Sequence, residues 1–177
     1  MLFRSVLVGW SVCKAFLRLG VPTQLKWPND ILLNGQKVGG ILIEERGDIL
    51  LAGIGLNLVS CPEASLLRAE AACPATFLGN VLAKFSILSL WLRLVNFSRF
   101  GYDATLSAST PLEFSQSIEP FLAYVGSRVQ VSDNRSSVFG IYSGLSADGG
   151  IVLLTDTGRI TMHSGSLAPE RESDEQI

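Results

Sequence analysis

Apolar residues at the start of the chain recur at helical spacing: Val6, Leu7, Trp10, Cys13 and Leu17, with Arg4, Lys14 and Arg18 between them. This spacing predicts a helix from about Leu2 to Leu19, stopped at Gly20 with Pro22 just beyond. Three strand-like runs follow. Ile31–Leu33 leads into Asn34-Gly35, a strong hairpin signal, and Lys37–Glu45 returns. Arg46-Gly47-Asp48 turns the chain again, and Ile49–Leu58 forms the third strand of an antiparallel meander, with the first helix packed on one face.

Ser60–Thr76 reads as a loop with short helical pieces, punctuated by Pro62 and Pro74. A long helix, amphipathic to nearly all-round buried, is expected from about Leu78 to Phe97, and short helix and connection from Tyr102 to Leu122. From Ser127 onward the pattern changes to short alternating runs, Arg128–Ser132, Ser137–Ile141, Ile151–Thr155 and Arg159–Met162. Asp133-Asn134, Asp148-Gly149-Gly150 and Asp156-Thr157-Gly158 separate them, which predicts a small β-barrel of the SH3-like type. The tail from Pro169 to Ile177 is charged and expected to fray.

Composition narrows the function classes. The 177 residues are 47% hydrophobic and 17% charged with a net charge of -2, so no basic surplus points to nucleic acid. Ser5–Cys13 behind Arg4 has the look of a signal-peptide core, but Lys14 and Arg18 follow at once and no small-residue cleavage site appears. In the apolar run Val81–Phe97, Lys84 and Arg93 leave an uncharged stretch far below the ~18–20 residues that span a bilayer. Cys13, Cys61 and Cys73 have neither metal-ligand nor C-x-x-C spacing, which fits free thiols in a reducing cytoplasm. His163 is the chain's one histidine; no partner base or nucleophile is visible for it, so a surface or hydrogen-bonded structural role is expected.

Candidate chemistry gathers between Gln24 and Asn57. Pro28 fixes its own backbone and biases Trp27, so Trp27, Asn29 and Asp30 are presented at defined angles. Lys26 and Lys37 offer compact ammonium groups for a carboxylate or phosphate oxygen. Gly39-Gly40 and Gly53-Ile54-Gly55 strip side chains from neighbouring strands, a mark of a bulge or of close ligand approach. Asn57 offers donor and acceptor together. Each item alone has an ordinary structural reading: a packed turn, a cap, a bulge, a solvated edge. G-I-G-L-N is not a Rossmann fingerprint, because it lacks the third glycine and no helix clearly follows.

K-W-P-N-D (26–30), K-V-G-G-I-L-I-E (37–44) and G-I-G-L-N (53–57), in this order and spacing, resemble the catalytic domain of biotin protein ligases, the biotin–[acetyl-CoA-carboxylase] ligases. Pro74-Ala75-Thr76 before a long apolar helix is similar to that family's post-sheet segment, and F-G-I-Y-S-G-L-S-A-D-G-G-I-V-L-L to its SH3-like terminal domain. The resemblance implies an α+β fold: a partial class II synthetase-like catalytic domain over residues 1–122, an SH3-like domain over 123–170 and a tail over 171–177. It implies activation of biotin with ATP and Mg²⁺ to biotinyl-5′-AMP, then transfer to a lysine of the biotin carboxyl carrier domain of acetyl-CoA carboxylase.

Carried over by position, Lys37 is the catalytic residue, between the biotin carboxylate and the α-phosphate. Gly40, Gly53 and Leu56 line the biotin tail together with Lys37. Lys26, Trp27, Asn29 and Asp30 shape the nucleotide side, Asn57 reads the adenine edge, and Asp30 is the candidate Mg²⁺ ligand. The family's Gly/Arg-rich biotin loop, of the form G-R-G-R-x-G-R, has no counterpart here, nor does a helix-turn-helix. The expectation is therefore an N-terminally incomplete cytoplasmic ligase with no DNA or membrane partner, whose open sheet edge favours homodimerisation. Two alternatives stand: a non-catalytic relative that binds nucleotide or carrier domain, and a lipoate or octanoate transferase.

Overall fold

The computed structural model describes residues 2–62, 73–79, 84–133 and 136–170. The element order is α1 (Leu2–Arg18), β1 (Thr23–Lys26), β2 (Asp30–Leu33), β3 (Gln36–Arg46), β4 (Ile49–Leu56), α2 (Ile87–Ala108), α3 (Pro111–Ser117) and β5 to β9. The last five strands are Arg128–Ser132, Ser137–Leu145, Ile151–Thr155, Gly158–Met162 and Ser166–Pro169. The expected α+β class holds, with two antiparallel sheets ordered β1-β2-β3-β4 and β8-β7-β6-β5-β9. The second has the SH3-like arrangement, completed by β9, which returns beside β5 and was not anticipated.

Alternation decides what α1 covers. Ile41 and Ile43 of β3 point inward with Leu25 and Ile31, against Val6, Leu7, Cys13 and Phe16 of α1. Gly9 lets the helix sit close, since a Cβ there would lie 2.6 Å from Leu25 Cδ1. The same core runs on into the second sheet through Val129, Tyr142, Ile151 and Leu167, so one apolar interior links both. Burial pushes the Cys13 thiol up to about 12. The Asn34-Gly35 hairpin forms as expected, both residues with positive φ, 50° and 75°.

Two expectations are corrected. Thr23–Lys26 is a fourth strand, paired to β2 in register Lys26↔Asp30. It is only four residues long, too short for a periodic signal. The long helix runs Ile87–Ala108 rather than Leu78–Phe97. Ser86 caps it by accepting from the Ser89 N–H, while Leu78 and Gly79 instead donate to the carbonyls of Asn57 and Leu58. Nor is this helix buried all round: Ile87, Leu88, Trp91 and Phe100 are exposed. Gly101 lies in the helix interior against Ser11 of α1. Thr110 and Glu113 form a reciprocal cap at the start of α3, behind Pro111. Of the loop with helical pieces expected over Ser60–Thr76, residues 63–72 lie outside the described residues, as do 171–177 of the tail expected to fray from Pro169, which instead ends β9.

No helix among the described residues is long and apolar enough to cross a membrane.

Candidate active site

Lys26 ends β1 and Asp30 opens β2, so the turn Trp27-Pro28-Asn29 must reverse the chain in three residues. The Trp27–Pro28 peptide is cis. Both flanking side chains of this turn are spent on the protein. Trp27 is wholly buried, and its indole N–H donates to the Gly149 carbonyl in the β6–β7 turn at 3.0 Å. Asn29 donates its side-chain N–H to the Ile41 carbonyl at 2.8 Å and accepts the Ile41 N–H on its own carbonyl at 2.9 Å. Trp27 is thus an anchor rather than a surface for nucleotide, and the direct ligand contact expected of it has no exposed atom to make it.

Asp30 emerges from this turn between two ammonium groups. Its Oδ2 lies 3.2 Å from Lys26 Nζ, and its Oδ1 contacts Lys37 Nζ. The two lysines, alike in residue type, do different things. Lys26 is only 4% exposed and fixes Asp30 from below. The Lys37 side chain is 41% exposed and carries its ammonium to the open face.

That face is defined by strand register. Asp30 pairs with Gly40, Gly40 with Gly55, and Leu42 with Gly53, so these residues share the side of the sheet opposite α1. A Cβ on Gly40 would meet its first neighbour, Asp30 Oδ1, at 3.6 Å; on Gly53 and Gly55 the nearest atoms stand at 3.8 and 3.9 Å. None of the three has a left-handed φ. Glycine here answers no demand of the protein's own packing, and the bare peptide floor it leaves suits a ligand lying flat against the backbone. Gly39 is different: its Cβ would fall 2.4 Å from the Gly55 carbonyl oxygen. Leu56 pairs with Gly39 on the opposite face and packs against the core, so it is not brought to this floor as expected.

Asn57 is held at the other edge of the cluster. Its side-chain N–H groups donate to the Thr76 carbonyl at 2.9 Å and the Lys37 carbonyl at 3.4 Å. Lys37 itself is bracketed by Pro74–Thr76: its N–H donates to Pro74 and its carbonyl accepts from Thr76. Pro74-Ala75-Thr76 was singled out in the sequence, but its pairing with Lys37 left no local signal there.

Asp30 does not fit a magnesium site. Both its oxygens face lysines, and no group of three His, Cys, Asp or Glu side chains suited to a metal occurs among the described residues.

His163 has the exposed, hydrogen-bonded place expected of it, and the structure names the partner. Its Nε2 lies 2.7 Å from Asp148 Oδ2, and Ser146 Oγ donates to Asp148 Oδ1 at 2.5 Å. These bonds, the Ser146 hydroxyl first and His163 next, hold the Asp148 carboxyl down at about 2.

A model of the biotin/lipoate A/B protein ligase family matches residues 2–58, the span that holds α1, the first sheet and the Lys26–Asp30–Lys37 cluster. The biotin protein ligase of Aquifex aeolicus matches over 97% of this chain and 76% of its own, with a TM-score of 0.77 and 27% identity. The chain is thus similar to this ligase family over residues 2–58 and to a biotin protein ligase structure over nearly its whole length. Another structure of that Aquifex ligase, in complex with biotin and ATP, matches with a TM-score of 0.76 over 97% of this chain. Among curated biotin ligase relatives, the biotin–[acetyl-CoA-carboxylase] ligase of Paracoccus denitrificans is 43% identical over 61 residues, 32% of this chain and 25% of that one. The bifunctional ligase/repressor BirA of Bacillus subtilis is 25% identical over 155 residues, 84% of this chain and 46% of its own. The chain therefore spans less than half the length of these curated ligases.

Proposed function

We propose that this chain activates the carboxylate of biotin with ATP and passes the acyl group to a lysine of a biotin carboxyl carrier domain, that of acetyl-CoA carboxylase. A biotin carboxylate oxygen attacks the α-phosphorus and pyrophosphate leaves, giving biotinyl-5′-AMP. The carrier lysine amine then attacks the acyl carbon and AMP leaves. The observation that carries the reading is the exposed Lys37 ammonium at the end of the glycine floor, with Asp30 beside it. Two unit anions 4 Å apart repel by about 4 kcal/mol at an effective dielectric of 20, so a cation between them removes much of the cost of approach. In this role Lys37 bridges carboxylate and α-phosphate, and Gly40 and Gly53 let the biotin tail lie on the strands. Asn57 faces the adenine, while Lys26, Asn29 and Asp30 hold the phosphate side in place.

The test is incubation of the chain with biotin, α-labelled ATP and a carrier domain. Labelled biotinyl-AMP, then labelled AMP and a biotinylated carrier, are expected, and Lys37→Ala should lose them while still folding. Normal turnover in Lys37→Ala would overturn the assignment, and lipoate replacing biotin as the better substrate would move it to the related transferases.

A second reading is favoured by one feature. Leu42 (64% exposed), Ile49 and Leu51 leave the outer face of β3 and β4 open to water, where an acyl-adenylate hydrolyses. The alternative is a relative that binds nucleotide or carrier domain without turnover. ATP binding with no biotinyl-AMP in the same assay selects it.

A further inference from the structure

We propose that His163, in the second sheet, is a positioning residue for the ligand site in the first, acting through Asp148, Gly149 and Trp27. As a statement about ligand binding it rests on the proposed function; as a statement about structure it stands on the contacts alone. His163 Nε2 and Ser146 Oγ grip the two oxygens of Asp148 at 2.7 and 2.5 Å. Ser146 also closes the turn, its N–H and hydroxyl both reaching the Gly150 carbonyl, at 2.9 and 3.1 Å. The turn's crown, Gly149, has a φ of +87° and lies on the first turn of α1, where a Cβ would come within 2.9 Å of Phe3 Cα. Its carbonyl accepts the Trp27 indole N–H at 3.0 Å.

Trp27 has no exposed surface, and its indole N–H is taken up by the Gly149 carbonyl. Two residues on is Asn29, stitched to β3, and then Asp30, which holds Lys37. The contacts run unbroken from His163 to the Lys37 ammonium. A Ser-Asp-His hydrolytic site is excluded by the order of the contacts: Asp148 stands between serine and histidine, so the imidazole touches Asp148 where a triad would have it take the serine proton. The arrangement instead clamps a loop, and the loop's one buried output is the bond to Trp27.

The experiment compares His163→Ala, His163→Gln, Asp148→Asn and the double variant Asp148→Asn/His163→Ala in the full chain. It reads hydrogen exchange of the Trp27 indole N–H by ¹⁵N NMR, ATP affinity by calorimetry and the thermal midpoint. His163→Ala should speed exchange and weaken ATP binding by about three- to tenfold, the span of one lost hydrogen bond. His163→Gln keeps an N–H donor toward Asp148 and should recover both to within about twofold. In the double variant His163→Ala should add almost nothing to Asp148→Asn, since the two act as one unit.

A lowered thermal midpoint with Trp27 exchange at the wild-type rate would reduce His163 to a local brace and overturn the proposal. Full additivity in the double variant would do the same. If the wild-type chain binds no ATP, the functional reading falls, while the exchange measurement still decides whether His163 acts on Trp27.

Discussion

Asn29 and Ile41 exchange two hydrogen bonds, one from the Asn29 side chain and one from the Ile41 backbone, at 2.8 and 2.9 Å. An amide side chain thereby holds the turn before Asp30 against β3. Asn29→Ala should cost about 1–2 kcal/mol in urea unfolding, since it strands a carbonyl of a buried strand. It should also weaken nucleotide binding by releasing Asp30. Stability within about 0.3 kcal/mol of wild type would show that the stitch is dispensable.

Gly39 and Gly40 are adjacent and should respond in opposite ways. An alanine Cβ at 39 meets the Gly55 carbonyl oxygen at 2.4 Å and Leu56 Cδ2 at 2.8 Å, a clash with backbone that costs about 2–3 kcal/mol or more. At 40 the nearest atom is 3.6 Å away, so Gly40→Ala should fold like wild type. Biotin-dependent activity should nevertheless fall, because the methyl group rises from the floor beside Lys37. Thermal melts paired with adenylation assays separate the two, and an active, stable Gly40→Ala would argue against ligand contact there.

Much of this first sheet was legible. The Asn34-Gly35 hairpin and the Arg46-Gly47-Asp48 turn set β2, β3 and β4 within a few residues of the observed bounds, because turn chemistry is local. The Lys37, Asp30, Gly40 and Gly53 cluster was also found, through motif spacing. Other features were tertiary and left no local trace. Trp27 meets Gly149 across 122 positions, and Asp148 meets His163 across 15. The burial of Lys26 against the exposure of Lys37 is announced by neither residue type nor neighbours. The long helix was misplaced because the apolar run before Ser86 has helical character, whereas the helix starts at the Ser86 cap.

Acid stability should report the clamp on Asp148. Its carboxyl is held at about 2 against an ordinary value of 3.8, by Ser146 first and His163 second. A carboxyl lowered in the fold stabilises it above its ordinary value, and this contribution disappears as pH falls through about 2. Glu113, held down by the backbone N–H and hydroxyl of Thr110, acts in the same sense. Asp148→Asn should therefore be less stable than wild type at neutral pH, with the gap closing between about pH 4 and pH 2. Unfolding curves collected across that interval provide the check, and a constant gap would contradict it.

The cysteines should react in order of access. Cys61 is half-buried, whereas Cys13 lies in the core with its thiol raised to about 12, leaving on the order of one thiolate in ten thousand at pH 8. Peptide mapping after brief thiol labelling should find Cys61 modified in the native chain and Cys13 only after unfolding. Equal labelling of both would show that α1 opens readily.

Asp30 has a consequence for how the site discriminates among anions. With Asp30 shared between Lys26 and Lys37, the cluster keeps one net positive charge, yet an arriving anion must still displace a tethered carboxylate from Lys37. Simple charge is a poor competitor in such an exchange, because the carboxylate is already in place at no entropic cost. Chloride or free phosphate gains little from the trade. A ligand that also spreads along the glycine floor gains contact that Asp30 cannot offer, so the pair works as a threshold that only an extended anion crosses.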